Sequence, residues 1–418
     1  MIIDHSEWMR NFALPLLLGL NVFQVRHALN VLEALVVSDL RHKTLAGLTR
    51  CLLLAHADHF ALADFFRVSP WSAEQVRERM IEAVLIMACK LQMRLGEGRI
   101  GLAIDDSLCV KDIATKAMAA VGLFYDHVEQ RRQTRRHSNA SRYINLMLVL
   151  GPFSFPLSWR LYLRRKQVNK LRRAGAAGLR FYTTNQLVEQ MFKEVEGRLP
   201  SGRVYVLFDS WYASQNMFKA VRRRGWHFVC ASRSNRNLSG TPLSQWWSKL
   251  AQQRRQRISL SSTKGKRTYQ VRVARGRVRG CSHQVAVVIS KRHRRDRSPA
   301  FFISSDTALS ATTILKIYTL RWECELGNWW LKQRLGLGDY RVRSLDAILR
   351  WHALVFVAYA FLCVRRAETY RPGKPLAPFA NTLNEHRTWH FRQLILHIAG
   401  LARNGRTDQQ ILESVAPT

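Results

Sequence analysis

One segment of the chain carries polar side chains that helix packing alone does not explain. The stretch "YTLRWECELGNWWLKQRLGL", residues 318–337, is rich in Leu, Glu, Lys and Arg and predicts a helix. At about 100° per residue, four polar side chains of this helix fall within an arc of roughly 60°. The four are Tyr318, Arg321, Glu325 and Lys332. A separate apolar stripe already gives the helix a packing face, so the polar stripe indicates a chemical role.

Three aspartates stand where apolar runs end, in a chain that has few acids. Asp105 and Asp106 follow the run "IGLAI", and Asp209 follows "VYVLF". Each run predicts a buried strand, where a carboxylate is costly unless it is paired or bound to a metal. Together with Glu325 they form three separated acidic positions, the usual requirement for holding two Mg²⁺ ions in phosphoryl transfer. Taken singly, a strand-end aspartate is more often a turn or cap residue.

The other members of the polar stripe suit the same chemistry. We expect Arg321 and Lys332 to hold phosphate oxygens of a bound strand, with Tyr318 as a hydrogen-bonding neighbour. Two Mg²⁺ ions, for which Mn²⁺ is expected to substitute, would polarise the attacking and leaving oxygens of a phosphodiester. A lone Glu–Arg pair on a helix is usually a solvated face, so the prediction depends on these positions occurring together.

The elements that must position these residues follow from the hydrophobic pattern. Residues 1–95 predict a helical region, the candidate for binding DNA ends. Strands alternate with helices over 96–235, which favours an α/β core. Residues 236–300 predict a β-rich insertion that is rich in Arg and Lys. The core resumes over 301–345 with the glutamate helix, and 346–418 predict a helical region that is a candidate for dimerisation.

The charge balance predicts a polyanionic partner. The 418 residues include 66 Lys and Arg against 29 Asp and Glu, a formal net charge of +37. The rival partner, a membrane surface, is disfavoured because the basic residues are spread along the chain and the longest apolar runs look too short to span a bilayer. No secretory signal is evident, so we expect a cytoplasmic protein. Clusters of basic residues occur near residues 131–136, 164–166, 222–224 and 292–295, and each is equally a candidate phosphate contact or a solvated face.

The motifs resemble those of a known family. "Y318-x2-R321-x3-E325-x6-K332" matches the YREK signature of DDE transposases of the bacterial insertion-sequence-four type. "AIDDS" and "LFDSWYAS" resemble the first and second acidic motifs of that family, and the strand "AFFISSD" also fits. The resemblance covers roughly residues 95–345 in order.

The resemblance implies a fold and a reaction. The fold would be a ribonuclease-H-like catalytic core, interrupted by the β-rich insertion between its last strand and the glutamate helix. The activity would be cut-and-paste transposition with Mg²⁺ at terminal inverted repeats, through a hairpin intermediate. The partners would be double-stranded DNA, as transposon ends and as target, and a second copy of the chain in a homodimeric synaptic complex. The location would be the bacterial cytoplasm, with the nucleoid.

The resemblance also assigns residues. By the motif match the metal ligands are Asp106, Asp209 and Glu325, with Asp105 as the alternative to Asp106. Asp106 is preferred because the family acid directly precedes a small hydroxyl residue. The family uses a tryptophan of the insertion to hold a base flipped out of the hairpin. Trp246 and Trp247 are the candidates, although adjacent tryptophans are more often core residues.

Two other functions remain open at this point. A ribonuclease-H-like endonuclease would cleave DNA and never rejoin it, so strand transfer separates it from a transposase. A catalytically silent, DNA-binding relative would bind DNA and leave it uncut in the presence of Mg²⁺.

Overall fold

The computed structural model describes residues 2–52, 59–126, 137–262, 265–292 and 298–415. The predicted phosphate contacts at 131–136 and at 294–295 lie outside the described residues.

The N-terminal region is helical. Ser72 accepts a hydrogen bond from the backbone N–H of Gln75 and begins the longest of these helices, because its side chain satisfies a donor that lacks a partner in the first turn. The helices are α1 (Glu7–Ala13), α2 (Val22–Val37), α3 (Leu45–Thr49), α4 (His59–Arg67) and α5 (Ala73–Leu95), with a short 3₁₀ turn over Leu14–Leu17.

The next part of the chain forms alternating strands and helices. Gly151, with φ of +55°, lies in the tight turn that joins two antiparallel strands. Thr183 is the N-cap of a helix, because its side chain accepts the Gln186 backbone N–H. The elements are β1 (Arg99–Val110), β2 (Gly122–Tyr125), β3 (His137–Leu150), β4 (Phe153–Tyr162), α6 (Arg165–Arg173), α7 (Thr184–Val195), β5 (Arg203–Phe208), α8 (Gln215–Arg222) and β6 (His227–Ser232).

The C-terminal half contains further strands and then helices. The segment predicted to be β-rich contains β7 (Asn237–Leu238), β8 (Thr241–Pro242), α9 (Leu243–Lys249), β9 (Gln256–Ser262), β10 (Gly265–Gly276) and β11 (Val285–Lys291). It is followed by β12 (Ala300–Ser304), α10 (Ala311–Thr319), α11 (Trp322–Gln333), α12 (Leu345–Glu368), α13 (Phe379–Arg403) and α14 (Asp408–Val415).

Within the described ranges, ten of the strands form one mixed sheet. Its order is β2-β3-β1-β5-β6-β12-β11-β10-β9, with β4 also paired to β3. Strands β1, β5 and β6 are parallel to one another, and the other pairs in this sheet are antiparallel. Strands β9, β10 and β11 therefore extend the sheet beyond β12. The chain thus has a mixed α/β fold in which the acids of β1 and β5 belong to central strands.

Helix α12 is the centre of the helical part. It packs against α1, α2, α4 and α5 from the N-terminal region, against β4, and against α11 and α13. Its apolar run, residues 353–364, was a candidate for pairing protomers, but the run is buried within the chain. The two helical ends of the chain therefore form one body.

The apolar runs were predicted to be too short for a membrane span, and this is wrong for α12. The helix has 24 residues, and its most apolar window has a mean hydropathy of 1.9, enough by length and composition to cross a bilayer. However, 89% of that window is buried inside the protein, as in the core helix of a folded domain. The short run seen in the sequence is extended by flanking residues of the same helix.

Two local predictions differ from the structure. Asp105 and Asp106 lie within β1 and not at its end, because β1 continues to Val110 by pairing with β3 after its pairing with β5 has ended. The single helix predicted from residue 318 is two helices, separated at Leu320 and Arg321 by hydrogen bonds of the i to i+3 type. The break lets α10 pack against β12 and β6 while α11 crosses β1 and β3.

The start of the β1–β5 pairing depends on a glycine. Gly202 has φ of +147°, and a Cβ there would lie 2.5 Å from the carbonyl oxygen of Gly98, which accepts the Arg203 N–H. We expect Gly202→Ala to lower the free energy of unfolding by about 2 kcal/mol. Urea titration followed by tryptophan fluorescence measures this. Gly178→Ala, where a Cβ meets nothing within 4 Å, is the matched control and should change stability by less than about 0.5 kcal/mol.

Candidate functional site

Adjacent parallel strands bring Asp105 and Asp209 to the same edge of the sheet. Pairing of β1 with β5 ends at Ala103 and Leu207, and both chains continue in the same direction beyond it. Asp209 is the first residue after Phe208, the end of β5. Its Oδ1 accepts the backbone N–H groups of Trp211 at 2.8 Å and of Tyr212 at 3.3 Å. These bonds fix one carboxylate oxygen in the turn.

Helix α11 is held tightly on β1 and β3. The Cys324 thiol donates to the carbonyl oxygen of Ala103 at 3.1 Å. Asn328 Oδ1 accepts from the Tyr143 hydroxyl at 3.1 Å, and all three side chains are buried. Glu325 follows Cys324 directly, so these contacts place its carboxylate beside the acidic part of β1.

Arg321 joins the helix to the strand. Its guanidinium lies 3.8 Å from Asp105 Oδ2 and also donates to Glu325 Oε1, four residues along the chain. Both carboxylates therefore share one cation at the start of α11. Arg321 and Glu325 of the predicted polar stripe lie side by side. Arg321 was expected to hold phosphate oxygens, whereas in the structure it contacts the acids themselves.

The pKa of Asp105 reflects both its burial and the charged side chains around it. Burial, the largest influence, raises the pKa of Asp105 to about 7. The Arg321 charge opposes that rise, whereas the carboxylates of Asp106, Asp209 and Glu325 add to it. The charged form of Asp105 is therefore unfavourable without a further cation.

Asp106 faces the opposite side of β1, because successive side chains alternate along a strand. Its Oδ2 accepts from Arg142 Nε at 2.7 Å, and its Oδ1 accepts from the Tyr212 hydroxyl at 2.9 Å. Burial and then the charge of Asp106 raise the pKa of Tyr212 well above its usual value, so this hydroxyl stays protonated and can donate. The sequence analysis missed both partners, since nothing in the spacing connects either residue to "DDS".

The other two members of the polar stripe, Lys332 and Tyr318, contact residues other than the acids. The Lys332 ammonium donates to the Ser107 hydroxyl at 2.7 Å, which places it on the same face of β1 as Asp105. The Tyr318 ring packs against Phe302 of β12, with ring centroids 4.7 Å apart, and the Arg321 guanidinium lies 5.9 Å from the centroid of the Tyr318 ring.

The two tryptophans predicted from the insertion lie on α9. Trp247 packs between cations, with Arg272 at 4.7 Å and Lys291 at 5.1 Å from its ring centroid. The Trp246 indole donates to the carbonyl oxygen of Thr241 at 3.3 Å. Both are half-buried against the core, and these contacts connect neither of them to the acids.

Two other tryptophans adjoin the acids and were missed by the sequence analysis. Trp211 follows Asp209 by two residues, and Trp322 directly follows Arg321; each is 56% exposed. An exposed indole can stack on an unpaired base. Their positions next to the acidic motifs were visible in the sequence, but their exposure was not.

The donors present fit a hard divalent cation. Asp105, Asp209 and Glu325 offer carboxylate oxygens, the ligand type that Mg²⁺ and Mn²⁺ prefer. A cation there would also relieve the repulsion that raises the pKa of Asp105. A chemically different group, made of Glu33, His386 and His390, could also hold a metal ion and lies in the helical part.

The fold resembles that of a known transposase. A cryo-EM structure of the piggyBac transposase synaptic complex with hairpin DNA matches 98% of this chain and 82% of that chain, with a TM-score of 0.51 and 10% sequence identity. At that identity the likeness concerns the fold alone. No curated protein matches the sequence.

A family model matches the greater part of the chain. The model is that of the DDE superfamily endonucleases, and it matches residues 16–282. The matched span includes Asp105, Asp106 and Asp209 and ends before Glu325. Because it covers more than half of the 418 residues, the chain belongs to the DDE superfamily endonucleases.

Proposed function

We propose that this protein is a DNA transposase of the insertion-sequence-four type. It would cut transposon ends at terminal inverted repeats, form a hairpin intermediate and join the freed ends to target DNA. The observation that carries this proposal is the meeting of Asp105, Asp209 and Glu325, from two parallel strands and one helix, with Arg321 pairing Asp105 and Glu325. The YREK signature on α10 and α11 supports the narrower family.

The sheet order supports a ribonuclease-H-like core. Strands β4-β3-β1-β5-β6 form a block with an antiparallel hairpin on one side and parallel strands on the other. The proposed β-rich insertion would be the segment 236–300, which lies between β6 and β12, and β12 then leads to the glutamate helix.

The proposed first metal ligand is Asp105, with Asp209 and Glu325 as the others. Asp105 shares Arg321 with Glu325, whereas Asp106 is already paired with Arg142 on the other face of β1. Asp106, preferred from the sequence, becomes a positioning residue that ties β1 to β3 and to Tyr212.

Each of these side chains would then have a distinct role in the reaction. Two Mg²⁺ ions bound by the three carboxylates would polarise the attacking and leaving oxygens of the phosphodiester. Arg321 orients the Asp105 and Glu325 carboxylates toward each other. Lys332, on the same face, is positioned to neutralise a phosphate of the cleaved strand. Trp246 and Trp247 remain proposed holders of a flipped base, and the exposed Trp211 and Trp322 are alternatives for that role.

The proposed partners are double-stranded DNA and a second copy of the chain. The net charge of +37 supports DNA as the partner, because phosphate contacts dominate affinity for nucleic acid. The structural neighbour is a transposase in a synaptic complex with hairpin DNA, which supports DNA binding and the hairpin as proposals. The homodimer is proposed from the motif resemblance alone.

The test uses a labelled duplex carrying the sequences that flank this gene, incubated with the full chain and Mg²⁺ or Mn²⁺. We expect metal-dependent cleavage, a product of hairpin size and joining of the cut end to a second duplex. Glu325→Gln should abolish all three. Glu323→Gln, on the same helix but bonded to Ser154, is the matched control and should remain active.

Each remaining outcome supports one of the other functions. Cleavage without joining would identify an endonuclease that does not transpose. Binding without cleavage in both metals would identify a silent DNA-binding relative.

A further inference from the structure

A buried cluster of three ligating side chains joins the two ends of the chain. Glu33 lies on α2, and His386 and His390 lie one helical turn apart on α13. All three are at most 2% exposed. Glu33 Oε2 lies 2.5 Å from His386 Nε2 and 2.9 Å from His390 Nε2, so both imidazoles point at one carboxylate oxygen.

The other oxygen of Glu33 is already fixed. Its Oε1 accepts the Ser6 backbone N–H at 2.7 Å and the Ser6 hydroxyl at 3.0 Å. These bonds orient the carboxylate as an outer hydrogen bond orients a metal ligand. Only Oε2 remains for the two imidazoles.

We propose that Glu33, His386 and His390 bind one transition-metal ion of the zinc class. Two imidazole nitrogens and one carboxylate oxygen are a common set of protein ligands for Zn²⁺. The three ligand atoms all lie within 4.8 Å of one another. Around a tetrahedral Zn²⁺ such atoms stand about 3.3 Å apart, so each nitrogen needs to move less than about 1 Å.

The surroundings would shield a bound ion from solvent. The His386 ring packs against Trp8 at 6.3 Å and Phe361 at 5.2 Å between centroids, and the His390 ring packs against Trp389 at 4.7 Å. Among the residues that the structure describes, neither Nδ1 has a hydrogen-bond partner, so packing sets the orientation of both rings. The ligands come from both terminal helical regions, so a bound ion would fasten α13 to α2.

This site differs chemically from the acids of β1, β5 and α11. Imidazole ligands select zinc-like ions, and carboxylates alone select Mg²⁺ or Mn²⁺. The inference does not depend on the proposed transposase activity, because the readouts are metal content and spectra.

The experiment starts with the full chain, purified without chelator or affinity metal, and metal analysis by mass spectrometry. We expect about one zinc-class ion per chain. After the ion is stripped with a chelator, added Co²⁺ should give a stronger visible absorption than Co²⁺ in buffer, and added Zn²⁺ should abolish it. Stripping should lower Tm by several degrees, and Zn²⁺ should restore it.

Variants assign the site. His390→Gln should lose the ion and the Co²⁺ spectrum, and Asp209→Asn should keep both, because it removes a carboxylate of the other site. His397→Ala, on the same helix, is the matched control and should also keep both. A metal-free wild-type chain that gives neither the Co²⁺ spectrum nor a Tm shift with Zn²⁺ would overturn the proposal, whether or not the variants fold.

Discussion

Asp105→Asn is expected to reduce metal-dependent strand cleavage by at least about a thousandfold, whereas Asp106→Asn should retain much more of it. The reason is the face of β1 that each residue occupies. Asp105 shares Arg321 with Glu325 and interacts with Asp209, whereas Asp106 is bonded to Arg142 and Tyr212. Cleavage of a labelled transposon end on a denaturing gel measures both rates.

Asp106→Asn should lower stability more than Asp105→Asn does, which is the reverse of their expected order for cleavage. Asp106→Asn removes the charge that pairs with the half-buried Arg142, and we expect it to lower the free energy of unfolding by about 1–3 kcal/mol. Asp105→Asn removes a carboxylate that burial and neighbouring acids disfavour, so stability should be unchanged or higher. Urea titrations without metal measure both values.

The control for both is Asp112→Asn, which changes an exposed carboxylate in the loop after β1. It should leave cleavage and stability near their wild-type values. If Asp106→Asn abolished cleavage at unchanged stability while Asp105→Asn stayed active, the first acid would be Asp106, as the motif match alone prefers.

Much of this arrangement could be predicted from the sequence because its signals are local. The apolar runs before Asp105 and Asp209 predict two strands, and the structure makes them parallel neighbours. The caps Ser72 and Thr183 identify helix starts because they act within three residues of the chain. The spacing from Tyr318 to Lys332 predicts a helical site even though the helix is broken in the middle.

Other features could not be predicted because they depend on distant partners. Which aspartate of "DDS" faces α11 is set by the pairing of β1 with β3, and a one-residue change in register would exchange the two faces. The cluster of Glu33 with His386 and His390 spans more than 350 residues of chain, as its hydrogen bonds show. No spacing rule joins residues so far apart.

The pKa of Asp105 predicts that metal binding depends on pH. Its carboxyl has a pKa raised to about 7, so below that pH a bound Mg²⁺ must displace a proton. We expect Mg²⁺ affinity to fall by up to about tenfold for each pH unit below 7 and to level off above it. Calorimetric titrations near pH 6 and pH 8, in buffers of different ionisation enthalpy, would measure the affinity and the proton released.

The raised pKa of Asp105 also predicts the direction in which stability changes with pH when no metal is bound. The pKa of Asp105 is about 7 in the folded protein, against an ordinary value of 3.8. Between these two pH values the folded state therefore keeps a proton that the unfolded state has lost. The contribution of this group to stability is therefore full below 3.8 and is lost as the pH rises toward 7. Saturating Mg²⁺ should restore it above pH 7.

Asp105→Asn is the control for both effects, since it removes the titrating group and keeps its shape. The variant should lose the part of the pH dependence of Tm that the wild type shows between about pH 4 and pH 7 without metal. A wild-type Mg²⁺ affinity that is equal at pH 6 and pH 8, with no proton released, would mean that the ion does not bind Asp105. In that case the carboxylates of Asp209 and Glu325 would have to hold the metal with Asp106, against the pairing of Asp106 with Arg142.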